Sequence, residues 1–390
     1  MKYILSTLLC GCALSVSAAN IDSIAIQIAS RQPAIAAEQA ALEAEHQRAL
    51  DENMLEGPEV EAEYKFAPSG EPNRWGVSVG QSFEWPGLYA ARARENRIRG
   101  GALEQLHRTN VLDKALEVKT AIIRLCKANA MRSDVAEAGE AIESLGQAYR
   151  KALARGETTI LEVKKIEMQA YAMKVKLAEA QAEAEAARIA FETLAGKAYD
   201  GGMAFDKVPV PELKPLSYYS EAMLEANPML RYSLAQAEAA RAATSVARRS
   251  GLPSFSVSYI HDYEEGTHFN GFGISVSLPK WNNSHKVKAA QAEVAAAENI
   301  IADTRQAASA ELYATYARAA AMQQTIAGAS GVFSGDYGVL LRKALDAGRI
   351  SLFTYLTEYA EYLDNLLAYR ETVAEYAATE AALGRYATDF

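Results

Sequence analysis

The stretch that decides the fold runs from Gly251 to Asn283 and has the sequence GLPSFSVSYIHDYEEGTHFNGFGISVSLPKWNN. On both sides of a polar segment, large apolar residues alternate with serine and glycine, as in Phe255-Ser256-Val257 and Gly273-Ile274-Ser275. Side chains of a strand point alternately to its two faces, so each strand has an apolar face and a small, polar face. The pattern predicts a β-hairpin over residues 252–281.

The same alternation occurs once earlier, over residues 58–85, which indicates an internal two-fold sequence repeat. Landmark residues recur in one order at separations of 192 to 197 residues: Pro33 and Pro228, Pro58 and Pro253, Gly76 and Gly273, Trp85 and Trp281, Gly139 and Gly331, Gly146 and Gly338, Gly156 and Gly348. Chance is the alternative, because an alanine-rich chain aligns with itself easily. The shared order of the seven pairs favours a duplication.

The repeat predicts how the chain is divided. The predicted segments are a signal peptide at 1–19, a first repeat at 20–196 with a helical tip at 155–159, a connection rich in proline and glycine at 197–217, and a second repeat at 218–390 with a tip at 346–351. Each repeat begins with a helix, continues with a hairpin and ends with a long helical hairpin. The predicted helices are Ile21–Asn53, Tyr89–Ala154, Ile160–Ala195, Tyr218–Ser250, Ser284–Leu345 and Leu352–Tyr386.

The N-terminus resembles a secretory signal, with Lys2, an apolar run over Tyr3–Leu14 and small residues before Asn20. Cleavage of this signal would remove Cys10 and Cys12 and leave Cys126 as the only cysteine, so no intrachain disulfide could form. In the alternative interpretation, Cys12 lies in a lipoprotein box and is lipidated. Both predict an exported protein, and the net charge of -9 disfavours a nucleic-acid partner.

The four predicted strands are too few to close a barrel, and an open sheet would leave reactive edges. Apolar and polar residues also alternate in the strands of a water-soluble β-sandwich. The predicted helices, however, are too long and too rich in alanine to wrap a small sheet. Three chains would pool about twelve strands, an even number within the range of bacterial outer-membrane barrels, and a cyclic trimer leaves no free edge. Trp85 and Trp281, at matching strand ends, fit an aromatic girdle at the lipid interface. The predicted fold is mainly α with a small β part: a long α-helical barrel joined to a 12-stranded trimeric outer-membrane β-barrel.

Four short motifs carry a resemblance to a known family. They are Asn227-Pro228-Met229-Leu230 at the start of the second repeat, Trp85-Pro86-Gly87 after the first hairpin, and the tip sequences LARGETTILEV (153–163) and LDAGRISLFTYL (345–356). In this order, and with the repeat, they resemble the outer-membrane efflux protein family, the TolC-like exit ducts of Gram-negative bacteria. The resemblance covers essentially all of the mature chain. The Pro86-Gly87 pair that follows the first hairpin is similar to the pair found at this place in the metal-efflux branch of the family.

The resemblance implies a homotrimeric outer-membrane channel of a tripartite efflux or type I secretion system, with its helical part in the periplasm. It would passively export small molecules or metal ions, and it would dock on a periplasmic adaptor (membrane fusion) protein and an inner-membrane pump. Segment 197–217 would form an equatorial collar. The alternative is a periplasmic adaptor or another coiled-coil scaffold of an export system. No catalytic motif stands out, so neither an enzyme nor a cofactor is predicted.

The resemblance also implies that the two helical tips dock the adaptor. The docking residues would be Arg150, Leu153, Gly156, Thr159, Arg342, Leu345, Gly348 and Ser351. Each tip glycine also suits an ordinary helix C-cap. The aspartate rings of relatives are not carried over, since Thr354 and Thr357 stand at those positions. Rings of Glu162 or Glu358 at the pore entrance are the hypothesis instead, and a solvated helix face is the alternative.

Two histidines, His261 and His268, fall in the segment predicted as the loop of the second hairpin. They could ligate a divalent metal, but histidines on a mobile loop are more often simply solvated. The sequence therefore predicts no metal site.

Overall fold

The computed structural model describes residues 18–68, 72–196, 205–278, 283–329, 331–333 and 336–387. Residues 1–17 of the predicted signal peptide, which include Cys12, and also Trp281 lie outside these ranges. Over the described residues the helices are α1 (Ala18–Ser30), α2 (Pro33–Asp51), α3 (Pro86–Ala154), α4 (Ile160–Ala195), α5 (Leu216–Ala226), α6 (Pro228–Arg249), α7 (Ser284–Ala329), α8 (Asp336–Asp346) and α9 (Leu352–Gly384). The strands are β1 (Glu59–Lys65), β2 (Arg74–Phe83), β3 (Ser254–Glu264) and β4 (Thr267–Ser277).

Two segments predicted as single helices are each a pair of helices. The segment predicted over Ile21–Asn53 is interrupted between α1 and α2, and the segment predicted over Tyr218–Ser250 is interrupted at Asn227. Proline has no N–H, and its ring clashes with the preceding turn, so it suits the first position of a helix rather than its interior. Pro33 and Pro228 each take that first position. The Asn227 side chain caps α6 by accepting a hydrogen bond from the backbone N–H of Met229 at 2.9 Å.

The long helix predicted over Ser284–Leu345 is also divided. Helix α7 ends at Ala329, and a turn that includes Gly331 and Phe333 precedes α8. Glycine disfavours a helix interior by about 1 kcal/mol relative to alanine. In this turn the ring of Phe333 stacks on Tyr369 of α9, with the ring centroids 5.0 Å apart.

The four strands form one antiparallel sheet in the order β1-β2-β3-β4. The hairpins meet where β2 pairs with β3, so residues from both repeats align in rows across the sheet. One such row contains Val60, Val79, Tyr259 and Phe272. Strands β1 and β4 are the two edges of this sheet.

The second hairpin turns over only two residues, Glu265 and Gly266, with φ angles of 49° and 81°. Two successive positive φ angles match the right-handed twist of the strands that such a short turn joins. The predicted polar loop is therefore wrong, because His261 belongs to β3 and His268 to β4. The two strands continue through polar residues as far as the pair Glu264 and Thr267, beyond the segment in which apolar residues alternate.

The chain divides into two compact units. We name the first the tip unit, which comprises Met1–Ala36, Asn110–Ala226 and Ser309–Phe390, and the second the sheet unit, which comprises Ala37–Thr109 and Asn227–Ala308. In the tip unit, the described residues of the proline-rich connection pack on the helices. Phe205 contacts Phe191 with ring centroids 5.1 Å apart, and the Pro211 carbonyl accepts a hydrogen bond from the Tyr376 hydroxyl at 2.8 Å. Among the described helices, none combines the length and the apolar character of a membrane span.

Candidate functional site

The sheet exposes a largely apolar surface, which we call the apolar face; Gln81, His261, His268 and Asn270 are its polar members. It is formed by alternate residues of all four strands: Val60, Ala62 and Tyr64 of β1, Trp75, Val77, Val79 and Phe83 of β2, Phe255, Val257, Tyr259 and Tyr263 of β3, and Phe272, Ile274 and Val276 of β4. Phe272 is 82% exposed and Ile274 is 78% exposed. Soluble proteins rarely expose contiguous apolar patches of this kind, and such patches mark surfaces that contact another protein or a membrane.

Aromatic residues line up across the turn end of the apolar face. Tyr64 pairs with Trp75, and Trp75 pairs with Tyr263. The Trp75 and Tyr263 rings are stacked, with centroids 5.7 Å apart. Aromatic residues of this kind concentrate at the two interfaces of a membrane. The sequence does not reveal this row, because the row appears only when the cross-strand register is known.

At the opposite end of the sheet lies Trp85, one of the two tryptophans predicted as a girdle. Its side chain is 40% exposed, and its ring centroid is 6.0 Å from that of Phe255. The matching Trp281 is outside the described residues. The structure therefore has aromatic side chains near both ends of the apolar face.

The other face of the sheet is small and polar. The Ser256 and Ser275 hydroxyl oxygens are 2.6 Å apart, and Arg74 forms an ion pair with Glu264 at 2.5 Å. Gly76 leaves room for a carboxylate, because a Cβ atom there would lie 2.3 Å from the Asp262 side chain. The two faces thus differ in both size and charge, as the alternation predicts.

The two tip turns have the same backbone structure. In the first, the N–H of Gly156 donates to the Leu153 carbonyl and the N–H of Glu157 donates to the Ala152 carbonyl, both at 3.0 Å. In the second, the N–H groups of Gly348 and Arg349 donate to the carbonyls of Leu345 and Ala344, both at 2.9 Å. This pair of bonds is the Schellman motif, which needs a residue with positive φ. The glycines supply it, with φ angles of 71° and 66°.

Each tip turn leads directly into an N-capped helix. Thr159 forms a capping box with Glu162, since its hydroxyl accepts from the Glu162 N–H at 3.3 Å and the Glu162 carboxylate accepts from the Thr159 N–H at 2.9 Å. Ser351 caps α9 by accepting from the Thr354 N–H at 3.1 Å. Two of the predicted docking residues therefore also position the first turn of the helix that follows.

The two glutamates predicted at a pore entrance both have local partners. A hydrogen bond from the Thr158 hydroxyl, followed by bonds from the Thr159 backbone and hydroxyl, lowers the pKa of Glu162. Glu358 accepts a hydrogen bond from the Tyr337 hydroxyl at 3.3 Å. Burial, and then the nearby Glu358, raise the pKa of Tyr337. The capping box explains the position of Glu162 without a pore.

The remaining predicted docking residues surround the tips. Arg150 pairs with Glu143 at 3.0 Å, and Arg342 pairs with Asp346 at 3.0 Å, so each arginine is held by a carboxylate of its own helix. Leu345 packs at the margin of the apolar core, and Leu153 is half-buried. Apolar side chains beside the turns are much more exposed: Ile160 (55%), Leu161 (78%) and Phe353 (64%).

One buried cluster holds the two helical hairpins of the tip unit together. Its members come from α3, α4, α8 and α9: Val135, Ala138, Ile142, Leu145, Ile166, Met173, Leu341, Leu352, Tyr355, Leu356, Tyr359 and Leu363. Because residues on either side of both turns share this core, the two tips are close neighbours. The structure thus brings together the two tips that carry the predicted docking residues, although these tips belong to separate predicted repeats.

No protein-family model matches the sequence, and no curated protein matches it significantly. Solved structures do match. A membrane protein from Pseudomonas aeruginosa superposes with a TM-score of 0.78 at 15% identity, over 96% of this chain and 91% of that one. The Campylobacter jejuni CmeC outer membrane channel gives 0.72 at 16% identity, over 94% and 85%. The outer membrane protein VceC from Vibrio cholerae gives 0.71 at 15% identity, over 94% and 96%. The chain therefore has the TolC-like fold of the outer-membrane efflux proteins.

Proposed function

We propose that the chain is one subunit of a homotrimeric outer-membrane exit duct that passively exports solutes. The observation that carries the proposal is the sheet. Its two edge strands have no strand neighbour among the described residues, and its apolar face is open in the isolated chain. Three such sheets joined edge to edge would pair every strand, and each apolar face would then contact lipid.

The shared fold of outer-membrane channels supports the same assembly. In this proposal the polar face lines a water-filled lumen, and the long helices form the periplasmic part around a continuous channel. The two sequence repeats, 20–196 and 218–390, each supply one hairpin and one helical hairpin. Segment 197–217 would lie in the equatorial collar.

The proposed partners are a periplasmic adaptor and an inner-membrane pump that supplies the energy for export. The two tip turns support the docking of an adaptor, because they are alike and adjacent and carry exposed apolar side chains. The proposed docking residues are Arg150, Leu153, Gly156, Thr159, Arg342, Leu345, Gly348 and Ser351. The cargo is proposed only as small molecules or metal ions.

Two arginine substitutions on adjacent residues of β4 test the proposal. Ile274→Arg places a charge on the apolar face, where burial of arginine in lipid costs about 2–4 kcal/mol near the membrane centre. We expect this variant to lose most of the heat-modifiable trimer from the outer-membrane fraction. Ser275→Arg places the same charge on the polar face and should assemble normally.

Both residues of this pair are accessible in the isolated chain, so a soluble scaffold would tolerate both changes. Equal recovery of the two variants as soluble periplasmic protein would overturn the proposal. That outcome would favour the adaptor or scaffold alternative, which requires no contact between the sheet and lipid.

A further inference from the structure

Two histidines of the second hairpin lie side by side on the apolar face. Nε2 of His261 on β3 is 3.1 Å from Nδ1 of His268 on β4. The rings are nearly parallel, with centroids 5.2 Å apart and planes at 28°. The two-residue turn Glu265-Gly266 fixes the strands that carry them, so this pair is not on a loose loop.

The hydrogen bonds around His261 define which of its nitrogens is free to bind. Its Nδ1 lies 2.8 Å from Oδ1 of Asn270, and the same oxygen accepts a hydrogen bond from the Tyr259 hydroxyl at 2.7 Å. An amide oxygen only accepts, so Nδ1 of His261 carries the hydrogen. The lone pair of Nε2 therefore points towards His268. Histidines that bind metal are commonly oriented in this way, by a bond from the other ring nitrogen.

We propose that His261 and His268 form a binding site for a divalent transition-metal ion such as Zn²⁺ or Cu²⁺. Two nitrogens bound at about 2.05 Å to one tetrahedral ion lie about 3.3 Å apart, close to the 3.1 Å observed here. Binding requires that His268 adopt the tautomer with its hydrogen on Nε2, and that the two rings turn so that both lone pairs meet at the ion. Imidazole suits these ions.

The pair lies at the turn end of the apolar face, where the contact between the two rings is exposed, so water completes the coordination shell of the proposed site. Among the described residues, no group of three or more His, Cys, Asp or Glu is arranged to hold a metal ion. A site with two protein ligands is open, in contrast to the closed sites of structural zinc. The bound ion would join β3 to the edge strand β4. This inference is independent of transport.

A neighbouring tryptophan provides an optical readout. The Trp75 ring centroid is 5.7 Å from that of His261, and the protein contains two other tryptophans. Bound Cu²⁺ is expected to quench Trp75 fluorescence, whereas Zn²⁺ binding is measured by calorimetry. Both titrations use the full-length protein without a histidine tag, in detergent and after removal of trace metal.

The decisive comparison is a His261→Gln/His268→Gln variant against a His46→Gln/His285→Gln control on the helices. We expect one ion per chain in the parent and the control, and at least a tenfold loss of affinity in the first variant. Trp75→Phe should remove most of the quenching and leave Zn²⁺ binding intact. Asn270→Leu should weaken binding about tenfold, because it removes the partner that orients His261.

Zn²⁺ affinity of the His261→Gln/His268→Gln variant equal to that of the parent would overturn the site. Electron paramagnetic resonance of the Cu²⁺-loaded parent tests the site without any substitution. Coupling to two imidazole nitrogens is expected, and a spectrum without nitrogen ligands would also overturn it.

Discussion

The ammonium nitrogen of Lys165 lies 5.4 Å from the centre of the Phe353 ring, so a residue beside the first tip contacts a residue beside the second. A cation over an exposed ring contributes about 0.5–1 kcal/mol. Because this contact joins the two helical hairpins, it resists their separation. If the chain forms the proposed duct, that free energy predicts that Lys165→Met raises the open probability of the reconstituted protein about two- to fivefold in single-channel recordings.

Lys164 provides a control for this experiment. It pairs with Glu167 of its own helix at 2.7 Å, so its loss should leave the separation of the hairpins unaffected. Lys164→Met should therefore have the same open probability as the parent protein. An equal increase in both variants would show that net charge at the entrance, rather than the contact with Phe353, is responsible.

A substitution at a tip glycine should destabilise the turn. Gly156→Ala places a Cβ atom at a φ of 71°, which costs about 1–2 kcal/mol for an L-residue. Hydrogen–deuterium exchange over residues 150–162 should accelerate. Gly139→Ala is the control, because Gly139 lies within α3 and a Cβ atom there meets nothing within 4 Å. That change should stabilise the helix by up to about 1 kcal/mol. Faster exchange in both variants would contradict the claim that the positive φ of Gly156 is what the tip turn requires.

The first turn of α4 should depend on pH through Glu162. Its pKa is lowered in the folded protein, chiefly by the Thr158 hydroxyl, so its contribution to stability is complete above its usual pKa of 4.5 and is lost as the pH falls through the lower, folded value. Glu162→Gln keeps a hydrogen-bonding side chain but removes the titration. Exchange of the amides over 159–163, compared between parent and variant at each pH, should differ more at pH 6 than at pH 3. A constant difference would contradict this.

A bidentate ion pair should stabilise the contact between α3 and α9. The Arg370 guanidinium donates two hydrogen bonds to the Asp134 carboxylate, at 2.8 and 3.2 Å, and the Asp134 side chain is only 15% exposed. Lysine cannot make both bonds in this geometry. Arg370→Lys should lower the free energy of unfolding by about 1 kcal/mol, measured by denaturant titration in detergent.

The matched control for the ion pair is Arg188→Lys. Arg188 pairs with Glu185 and Glu192 of its own helix, at 2.6 and 2.5 Å, and all three side chains are about half exposed. Exposed pairs of this kind contribute little. Arg188 also binds the Glu185 carboxylate through two nitrogens. Equal losses in the two variants would therefore mean that the partial burial of the Asp134 pair, and its position between two helices, contribute nothing of their own.

The sequence alone predicted the strands and their two faces because alternation is a local property. Within each strand, the apolar positions, such as Val257 and Tyr259 of β3 or Phe272 and Ile274 of β4, could be assigned to one face by counting in twos. The tip turns were equally accessible, since Gly156 and Gly348 mark positions where only a residue with positive φ fits well. The long helices could be predicted from composition, whereas the buried core that they share in the tip unit could not.

Other features depended on information that no single segment contains. The aromatic row of Tyr64, Trp75 and Tyr263 requires the register between strands from different repeats. The contact of His261 with His268 requires a two-residue turn, and the polar sequence around Glu265-Gly266 suggested a longer loop. The helix breaks were visible in principle, because a proline inside an α-helix interrupts it.

The two edge strands of the sheet differ in how easily they would pair with another chain. Every residue of β1 is exposed, and Glu59, Glu61, Glu63 and Lys65 cover one side of this edge. Two β1 strands from different molecules would bring carboxylates together and repel each other, which is a known safeguard against misassembly. Strand β4 has no such charges, so newly exported molecules are exposed to aggregation through that edge. In the proposed trimer, β1 of a neighbouring subunit would pair with β4 and cover this edge.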